Sequence, residues 1–246
     1  MKVVLKRVVA YMIDIIIVSL VVTFITSNSH INKDYDKYND TYKEFQDNYE
    51  MHQDFLTDFE EFYKDDEIKE EEYDELIENY PLYEQYLEEI KTSIDFDYDD
   101  IIKKVNDYYS NQELDYSYNL VKLSVIQTII SILCILMYFV IIQYYFNGQT
   151  LGKKIMKLQV VSIKDKPLTI VNYFIRSLIV NEVFINVMSI IFVIILNKEN
   201  YVIYSQIVYI ITYIVEIIII FTIVFDKNHR GIHDYISNTK VVEIIK

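Results

Sequence analysis

Three acidic residues stand inside stretches of sequence that are otherwise apolar: Asp14, Glu182 and Glu216. An ionised side chain at the centre of a membrane helix costs about 2.5–3.5 kcal/mol or more, so each carboxyl group needs a partner or a task. One interpretation is structural, in which the acids form interhelical pairs that fix the packing of the helices. The other is a polar cavity in which Asp14 and Glu182 bind a cation or carry protons and Glu216 acts as a deeper relay. Arg7 and Arg176 would then set the pKa values of these carboxyl groups.

The three acids are expected at a similar depth. At the helical rise of about 1.5 Å per residue, each lies about 9–14 Å inward from a charged residue near the end of its stretch. Arg7 and Asp14 are seven residues apart, so they share a helix face but cannot touch. Asp14 must therefore find its partner elsewhere, and the candidates at the same boundary are Arg176, Arg230 and Lys153.

Other kinds of chemistry lack the residues that they need. The single cysteine, Cys134, excludes a disulfide framework and a cysteine-based zinc site. His233 and Asp234 are adjacent, but no nucleophile or second catalytic acid accompanies them at a defined spacing, so we expect no enzyme. Three residues rather than four separate Gly148 from Gly152, which does not match a phosphate-binding loop. We predict no cofactor, no metal site and no nucleic-acid partner.

Four apolar stretches are long enough to cross a bilayer, which takes about 20 residues to cover about 30 Å. Isoleucine and valine dominate them, but an open strand cannot satisfy its backbone in lipid, so helices are expected. The acid within the first stretch and the lack of a cleavage site after it favour a retained helix over a signal peptide. The predicted spans are approximately Val8–Thr26, Leu120–Phe146, Ser177–Leu196 and Tyr201–Phe225.

The basic residues predict how the spans are oriented. The amino-terminal residues, the segment 147–176 and the tail 226–246 together carry 13 lysines and arginines. Four spans place all three segments on one side, and the positive-inside rule assigns that side to the cytoplasm. We therefore predict a multi-pass protein of the cell membrane with both termini in the cytoplasm. Its basic segments would contact anionic lipids of the inner leaflet.

Residues 27–119 form an acidic insert between the first and second spans. The insert carries 29 aspartates and glutamates against 8 lysines, a net charge of −21. Apolar and aromatic residues recur in it at intervals of three and four, which predicts a coiled-coil seam on one long helix and a second series after a break near Asp65–Lys69. The first series is Tyr35, Tyr38, Tyr42, Phe45, Tyr49, His52, Leu56, Phe59 and Tyr63, and the second is Tyr73, Leu76, Tyr80, Tyr83, Leu87, Ile90 and Ile94.

The two series predict an antiparallel helical hairpin that projects from the outer face. Pro81 should break or restart the second helix near Tyr80, and a third short helix is expected over Tyr98–Tyr109. The strong self-repulsion of the insert predicts loose packing that improves with salt. The insert is either a solvated acidic spacer or a docking surface for a basic partner or for cations.

Short motifs outside the insert resemble the RDD family of bacterial membrane proteins. That family is named for an arginine at the start of the first helix, an aspartate within that helix and a second aspartate, which Arg7, Asp14 and Asp234 match. The resemblance covers about residues 1–26 and 120–242, and it implies a membrane protein whose molecular role is largely unassigned, with ion or solute transport proposed for some members. The residues that match the family motifs are Arg7, Asp14, Gly148, Thr150, Gly152, Lys153, Arg176, His233, Asp234 and Thr239.

These observations together predict an all-α membrane protein with four transmembrane helices and a long acidic extracytoplasmic helical hairpin inserted between helices 1 and 2. The corresponding regions are residues 1–26, 27–119 and 120–246. We expect a membrane scaffold or accessory protein that presents the acidic hairpin outside. The alternative is a small cation, proton or solute transporter that uses the intramembrane carboxylates. The few spans and the lack of an internal repeat or a broken helix count against transport by one chain, although a homo-oligomer could assemble a pathway.

Overall fold

The structure is a computed structural model that describes residues 2–63, 69–92, 98–164 and 166–244. The chain forms two compact units. The membrane unit comprises Met1–Tyr35 and Lys122–Lys246, and the acidic unit comprises Asp36–Val121. Most of the described chain is helical, as the sequence predicts.

The first half of the chain contains one long apolar helix followed by the helices of the acidic unit. Helix α1 is the apolar one, and α2 begins after a short irregular segment. The elements are α1 (Lys2–Thr26), α2 (Tyr35–Phe62), α3 (Glu70–Asn79), a 3₁₀ turn (Pro81–Tyr83), α4 (Glu84–Thr92) and α5 (Tyr98–Leu123).

The second half returns to apolar helices and adds a small sheet. Helices α6 and α7 are joined without a break by a π-helical turn, so together they form one continuous helix. The elements are α6 (Val125–Leu136), the π turn (Met137–Ile142), α7 (Gln143–Tyr145), α8 (Leu151–Ile155), β1 (Leu158–Ser162), α9 (Ile170–Val180), α10 (Val183–Ile195), α11 (Lys198–Phe225), α12 (Ile232–Ile236) and β2 (Thr239–Glu243).

Three of the described helices are long and apolar enough to cross a membrane: Val3–Thr26, Val125–Tyr145 and Lys198–Phe225. Their apolar side chains face outward to a large extent, which suits a lipid environment. The consecutive helices α9 and α10 pass the same test only as a pair, and they are bent by 65° relative to each other. The number of spans is therefore three, or four if the bent pair crosses once.

The bend divides the stretch Ser177–Leu196, for which the sequence predicts a single unbroken helix. Helix α9 ends at Val180, and Glu182 adopts a left-handed backbone conformation with φ of +53° before α10 begins. A left-handed residue cannot continue a right-handed helix, so the chain changes direction here. The expectation of a continuous third helix is wrong at this point.

Strands β1 and β2 are absent from the all-α prediction. They pair antiparallel, with Leu158 opposite Glu243 and Ser162 opposite Thr239. Their side chains alternate between buried and partly exposed positions, which is the period of a strand. Each strand has only five residues, so this alternation was too short to stand out beside the long apolar stretches.

The acidic unit has a hydrophobic core of its own, formed by side chains from α2, α3, the 3₁₀ turn, α4 and α5. Helix α3 ends just before Tyr80 and Pro81, and the predicted break near Asp65–Lys69 falls mostly on residues 64–68, outside the described part. Helix α5 extends to Leu123, well beyond the predicted end of the third helix at Tyr109. The buried residues are Phe55, Phe59, Tyr73, Leu76, Tyr80, Tyr83, Leu87, Ile101 and Val105.

The predicted coiled-coil seam is buried only in its second half. Tyr42 and Tyr49 are 43% and 49% exposed, and Phe55, which the seam omits, is fully buried in place of its neighbour Leu56. His52 lies in the core, where its Nδ1 is 2.7 Å from the Tyr83 hydroxyl. The α2 helix therefore packs against a local aromatic core rather than along a continuous heptad seam.

Candidate functional site

The side chain of Asp14 forms the centre of one polar network in the membrane unit. It is fully buried, and its carboxylate accepts hydrogen bonds from the Tyr138 hydroxyl at 2.7 Å, the Thr150 hydroxyl and the Gly152 backbone N–H at 2.7 Å. The Lys153 ammonium lies 3.8 Å away. This network attaches the first turn of α8 to the middle of α1, with the carboxylate at the positive end of the short helix.

Gly152 allows α8 to approach α1 closely enough for this network to form. A Cβ atom at Gly152 would overlap the backbone oxygen of Ala10 and lie 2.8 Å from an Asp14 carboxylate oxygen. Gly148 has a different constraint: its φ is +86°, and a Cβ there would overlap the backbone oxygen of Val160 in β1. The two glycines of the motif therefore bring the loop after α7 against α1 and against the sheet.

A second network surrounds Asp234 at the start of α12. Its fully buried carboxylate pairs with Arg7 at 2.7 Å and with Arg176, and it accepts a hydrogen bond from the Thr239 hydroxyl at 3.2 Å. The Gly231 backbone N–H donates to it at 3.1 Å. One carboxylate therefore connects α1, α9, α12 and β2.

The charges in this second network fix the protonation states of its members. Burial opposes ionisation of Asp234, but Arg176, His233 and Arg7 together hold the pKa of its carboxyl group well below the usual range. Burial, reinforced by Arg176, lowers the pKa of His233 to about 4, so this histidine is neutral at pH 7. In the neighbouring network, burial lowers the pKa of Lys153 to about 8 against the opposing effect of Asp14.

Nine of the ten residues that match the family motifs lie in these two networks, and the tenth, Gly148, lies against β1. Of the three candidates for the partner of Asp14, Lys153 is close to it, whereas Arg176 pairs with Asp234 and Arg230 lies 3.8 Å from Asp226. Tyr138 was missed by the sequence reasoning, because a tyrosine in an apolar span carries no local signal of its role. The two aspartates of the motif thus lie in separate networks. Helix α1 contributes to both, to one through Asp14 and to the other through Arg7.

A cavity of about 820 Å³ lies among α1, α6, α9, α10 and α11. Its wall is mostly apolar, but Glu182 and Glu216 both line it, together with Arg7 and Arg176. The carboxyl groups of Glu182 and Glu216 lie close enough to interact with each other. Within the described part of the chain, no lysine, arginine or histidine forms an ion pair with either of these two acids.

The break between α9 and α10 opens into this cavity. The Tyr11 hydroxyl donates to the backbone oxygen of Val180 at 3.2 Å, which satisfies one carbonyl at the end of α9. The Asn181 side-chain amide donates to the Ser177 hydroxyl at 2.9 Å. The Asn181 Oδ1 has no hydrogen-bond partner among the described residues, although the side chain is 93% buried and lines the cavity.

The structure brings together two of the three acids that the sequence singles out. Glu182 and Glu216 share the cavity, and both boundary arginines contribute to its wall. Asp14 does not line this cavity; its carboxylate is directed to Tyr138, Thr150 and Gly152. The geometry therefore divides the acids into two glutamates that line the cavity and an aspartate at the centre of a separate network.

Comparison with known proteins supports the resemblance seen in the motifs. A sequence model of the RDD family matches residues 105–238, which is more than half of the chain. The matched range includes Asp234 and leaves Arg7 and Asp14 outside it. No curated protein and no solved structure matches the chain. The family assignment made from the motifs is confirmed.

Proposed function

Because the chain belongs to the RDD family of membrane proteins, we propose that it exchanges a cation for a proton across the cell membrane, using Glu182 and Glu216. The observation that carries this proposal is that the two carboxyl groups line one cavity and lie close enough to interact with each other. Two carboxylates at short range repel each other, so we expect the pair to hold one proton between them. A monovalent cation that enters between them can replace that proton with no change in net charge.

The energetics of the membrane favour a functional reading of this pair. Ionisable groups within a span are costly, and those without a structural partner mark pathways for ions or protons. Glu182 and Glu216 form no ion pair with a cation of the described residues, in contrast to Asp14 and Asp234. In this proposal Asp14 and Asp234 stabilise the fold, and the two glutamates exchange a proton for a cation.

The broken helix supports the same interpretation. Transporters often bind their substrates where a membrane helix is interrupted, because the interruption exposes backbone and side-chain polar groups to a cavity. The break at Asn181 and Glu182 faces the cavity that holds Glu216. The sequence-based argument against transport cited few spans, no internal repeat and no broken helix, and the bend between α9 and α10 removes the last of these points.

The proposal includes a topology. The bent pair α9 and α10 counts as one crossing, which gives four spans and places the segment 147–176, the tail 226–246 and the amino terminus in the cytoplasm. The acidic unit then lies outside, and the basic segments lie against anionic inner-leaflet lipids. Protease added to intact cells is expected to cut near Asp65–Lys69 and to leave the tail intact. Cleavage of the tail alone would show that the orientation is the opposite of the proposed one.

Flux in proteoliposomes tests the exchange. In proteoliposomes that contain the wild-type protein, a gradient of Na⁺, K⁺ or tetraethylammonium is expected to drive proton movement. A pH-sensitive dye enclosed in the vesicles measures this movement. Glu216→Gln should reduce the rate at least tenfold, because glutamine cannot release the proton, and Glu216→Asp should restore part of it. Glu199→Gln, at the first turn of α11 outside the cavity, is the matched control. Absence of cation-driven proton flux in the wild type with all three gradients contradicts the proposal.

A second role is supported by the compactness of the acidic unit. A segment that only separates two membrane helices does not need a hydrophobic core, whereas this unit buries Phe55, Phe59 and Leu87 completely. We propose that it also presents an acidic surface to a basic partner outside the cell, as an accessory or scaffold protein would. Deletion of residues 36–121 should abolish retention of such a partner and spare the proton flux of reconstituted protein. Loss of flux on deletion would show that the two roles are not separate.

A further inference from the structure

We propose that the cavity binds a lipophilic organic cation whose charge lies at Glu182 and Glu216 and whose apolar groups fill the rest of the space. This inference rests on the proposed exchange function and names the class of its substrate. The size of the cavity, the chemistry of its wall, the charge of the glutamate pair and an unpartnered acceptor beside it all favour such a ligand.

The size and the wall of the cavity suit an organic molecule rather than a bare metal ion. A volume of about 820 Å³ falls within the range of about 300–1,000 Å³ that small organic ligands occupy. A metal cation needs several oxygen ligands gathered at short distances. Among the described residues no group of three or more histidine, cysteine or acidic side chains has that arrangement. The apolar wall is formed in part by Val8, Ile15, Val18, Ile219, Ile220 and Ile223.

The charges around the cavity select a cation. Asp234 compensates one of the two guanidinium charges of Arg7 and Arg176, and Lys153, which also lines the cavity, is paired with Asp14. One positive charge therefore remains at the wall, and two ionised glutamates exceed it by one. Glu182 and Glu216 have no such partner among the described basic residues, and a ligand cation would supply the missing charge. Burial of a cation away from water is favourable only beside a compensating carboxylate.

Asn181 provides a second, independent indication of a ligand. Its Oδ1 is an acceptor without a hydrogen-bond partner in the described part of the chain, on a side chain that is 7% exposed and lines the cavity. A buried acceptor left without a donor costs about 1–3 kcal/mol, so a positively polarised ligand group at this place would be stabilising. Tyr11 also lines the cavity, and aromatic rings attract cations.

Binding of tetraphenylphosphonium to the purified full-length protein tests the inference. This probe is a permanent cation with four apolar rings, and tetraphenylborate has the same shape with the opposite charge. The protein is purified in detergent and immobilised, and binding of radiolabelled tetraphenylphosphonium to it is measured. The binding should be saturable. Unlabelled tetraphenylphosphonium should displace the label, and tetraphenylborate should not. Glu216→Gln should weaken binding at least tenfold, Glu216→Asp should retain most of it, and Glu199→Gln should leave it unchanged.

A variant of the apolar wall separates this inference from a fold defect and from inorganic transport. Ile15→Phe narrows the cavity without touching either glutamate, so it should weaken tetraphenylphosphonium binding at least tenfold and preserve any proton exchange driven by Na⁺ or K⁺. Size-exclusion elution and thermal unfolding would verify that each variant is folded. The inference is overturned if the wild type shows no saturable binding, if tetraphenylborate competes equally, or if both Glu216→Gln and Ile15→Phe bind like the wild type. Whether the protein exchanges cations for protons is tested independently by the flux measurement in proteoliposomes.

Discussion

At the scale of single residues, two buried aspartates with different partners organise the membrane unit. Asp14 accepts hydrogen bonds from two hydroxyls and a backbone N–H, and Asp234 is compensated by two arginines. Removal of one member of a buried ion pair typically costs about 3–5 kcal/mol, because the remaining charge is left without compensation. The three residues for which the RDD family is named are all engaged in these networks, so we expect substitution of any of them to lower stability.

The close approach of α8 to α1 makes Gly152 sensitive to a single methyl group. Gly152→Ala is expected to destabilise the membrane unit by about 2–3 kcal/mol, because the new Cβ overlaps the Ala10 backbone oxygen, which cannot move independently of α1. Thermal unfolding in detergent would measure the loss. Leu151→Ala, at an adjacent position that is 51% exposed, is the control and should change stability little. Equal stability of the two variants would contradict the packing described for Gly152.

His233 gives stability a dependence on pH. Its pKa is lowered from 6.5 to about 4 in the folded protein, where burial and Arg176 disfavour the charged ring and Asp234 only partly opposes them. The unfolded chain therefore binds a proton that the folded chain does not, so the contribution to stability is complete above pH 6.5 and is lost as the pH falls towards 4. The loss is at most about 3 kcal/mol.

The pH dependence is measured as the difference between wild type and His233→Gln. The wild-type melting temperature should fall more steeply between pH 6.5 and pH 4.5 than that of the variant. His52 of the acidic unit, whose pKa burial also lowers, is present in both proteins and cancels in the difference. His30→Gln, at an exposed position, should behave like the wild type. Parallel pH profiles for wild type and His233→Gln would show that this histidine is not held neutral.

At the scale of elements, the interruption between α9 and α10 determines what the third apolar stretch can do. Two short helices at 65° place Asn181 and Glu182 at the cavity, whereas one continuous helix would leave their backbone groups within the helical hydrogen-bond ladder. The sheet of β1 and β2 has a comparable positional role. It holds the loop that carries Gly148 and the tail that carries Thr239 against the membrane helices.

The left-handed conformation of Glu182 allows a test of the bend by substitution. Asparagine adopts this conformation readily and β-branched residues do so at a cost of about 1–2 kcal/mol, so Glu182→Val should be less stable than Glu182→Asn by about that amount. Thermal unfolding of the two purified variants measures the difference. Both variants lack the carboxyl group, so the comparison isolates the backbone. A more stable valine variant would indicate that a continuous helix forms in solution.

At the scale of the whole molecule, the net charge of −14 divides between two unlike parts. Residues 27–117 contribute −21, so the rest of the chain is net positive. The acidic unit has its own core and the membrane unit has its own polar networks. Each part is thus stabilised by contacts within itself.

The acidic unit is expected to fold when it is produced alone. Residues 36–121 should give a helical circular dichroism spectrum and a cooperative thermal transition. Because like charges repel across its surface, raising the salt concentration from 20 mM to 500 mM should increase its melting temperature by several degrees. Phe55→Ala, at the centre of the core, should cost about 3–5 kcal/mol, whereas Tyr42→Ala at an exposed position should cost far less. A random-coil spectrum of the isolated unit would contradict this view.

The sequence by itself determined the class of protein and the identity of its important polar residues. Apolar stretches of about 20 residues can exist stably only in lipid or in a large core, and charged residues within them must be compensated, so Asp14, Glu182 and Glu216 stood out without a structure. The motifs around Gly152 and Asp234, together with Arg7 and Asp14, resemble those of the RDD family in residue type and order.

The tertiary structure decided which of these residues belong together. Sequence spacing relates residues along one helix, whereas ion pairs and cavities depend on which helices meet and at what angle. Arg7 pairs with Asp234, 227 positions away, and Glu182, at the bend that follows Asn181, shares a cavity with Glu216. Residues in contact across elements have no fixed separation in the sequence, so the assignment of Asp14 to a structural network and of the two glutamates to a cavity required the folded chain.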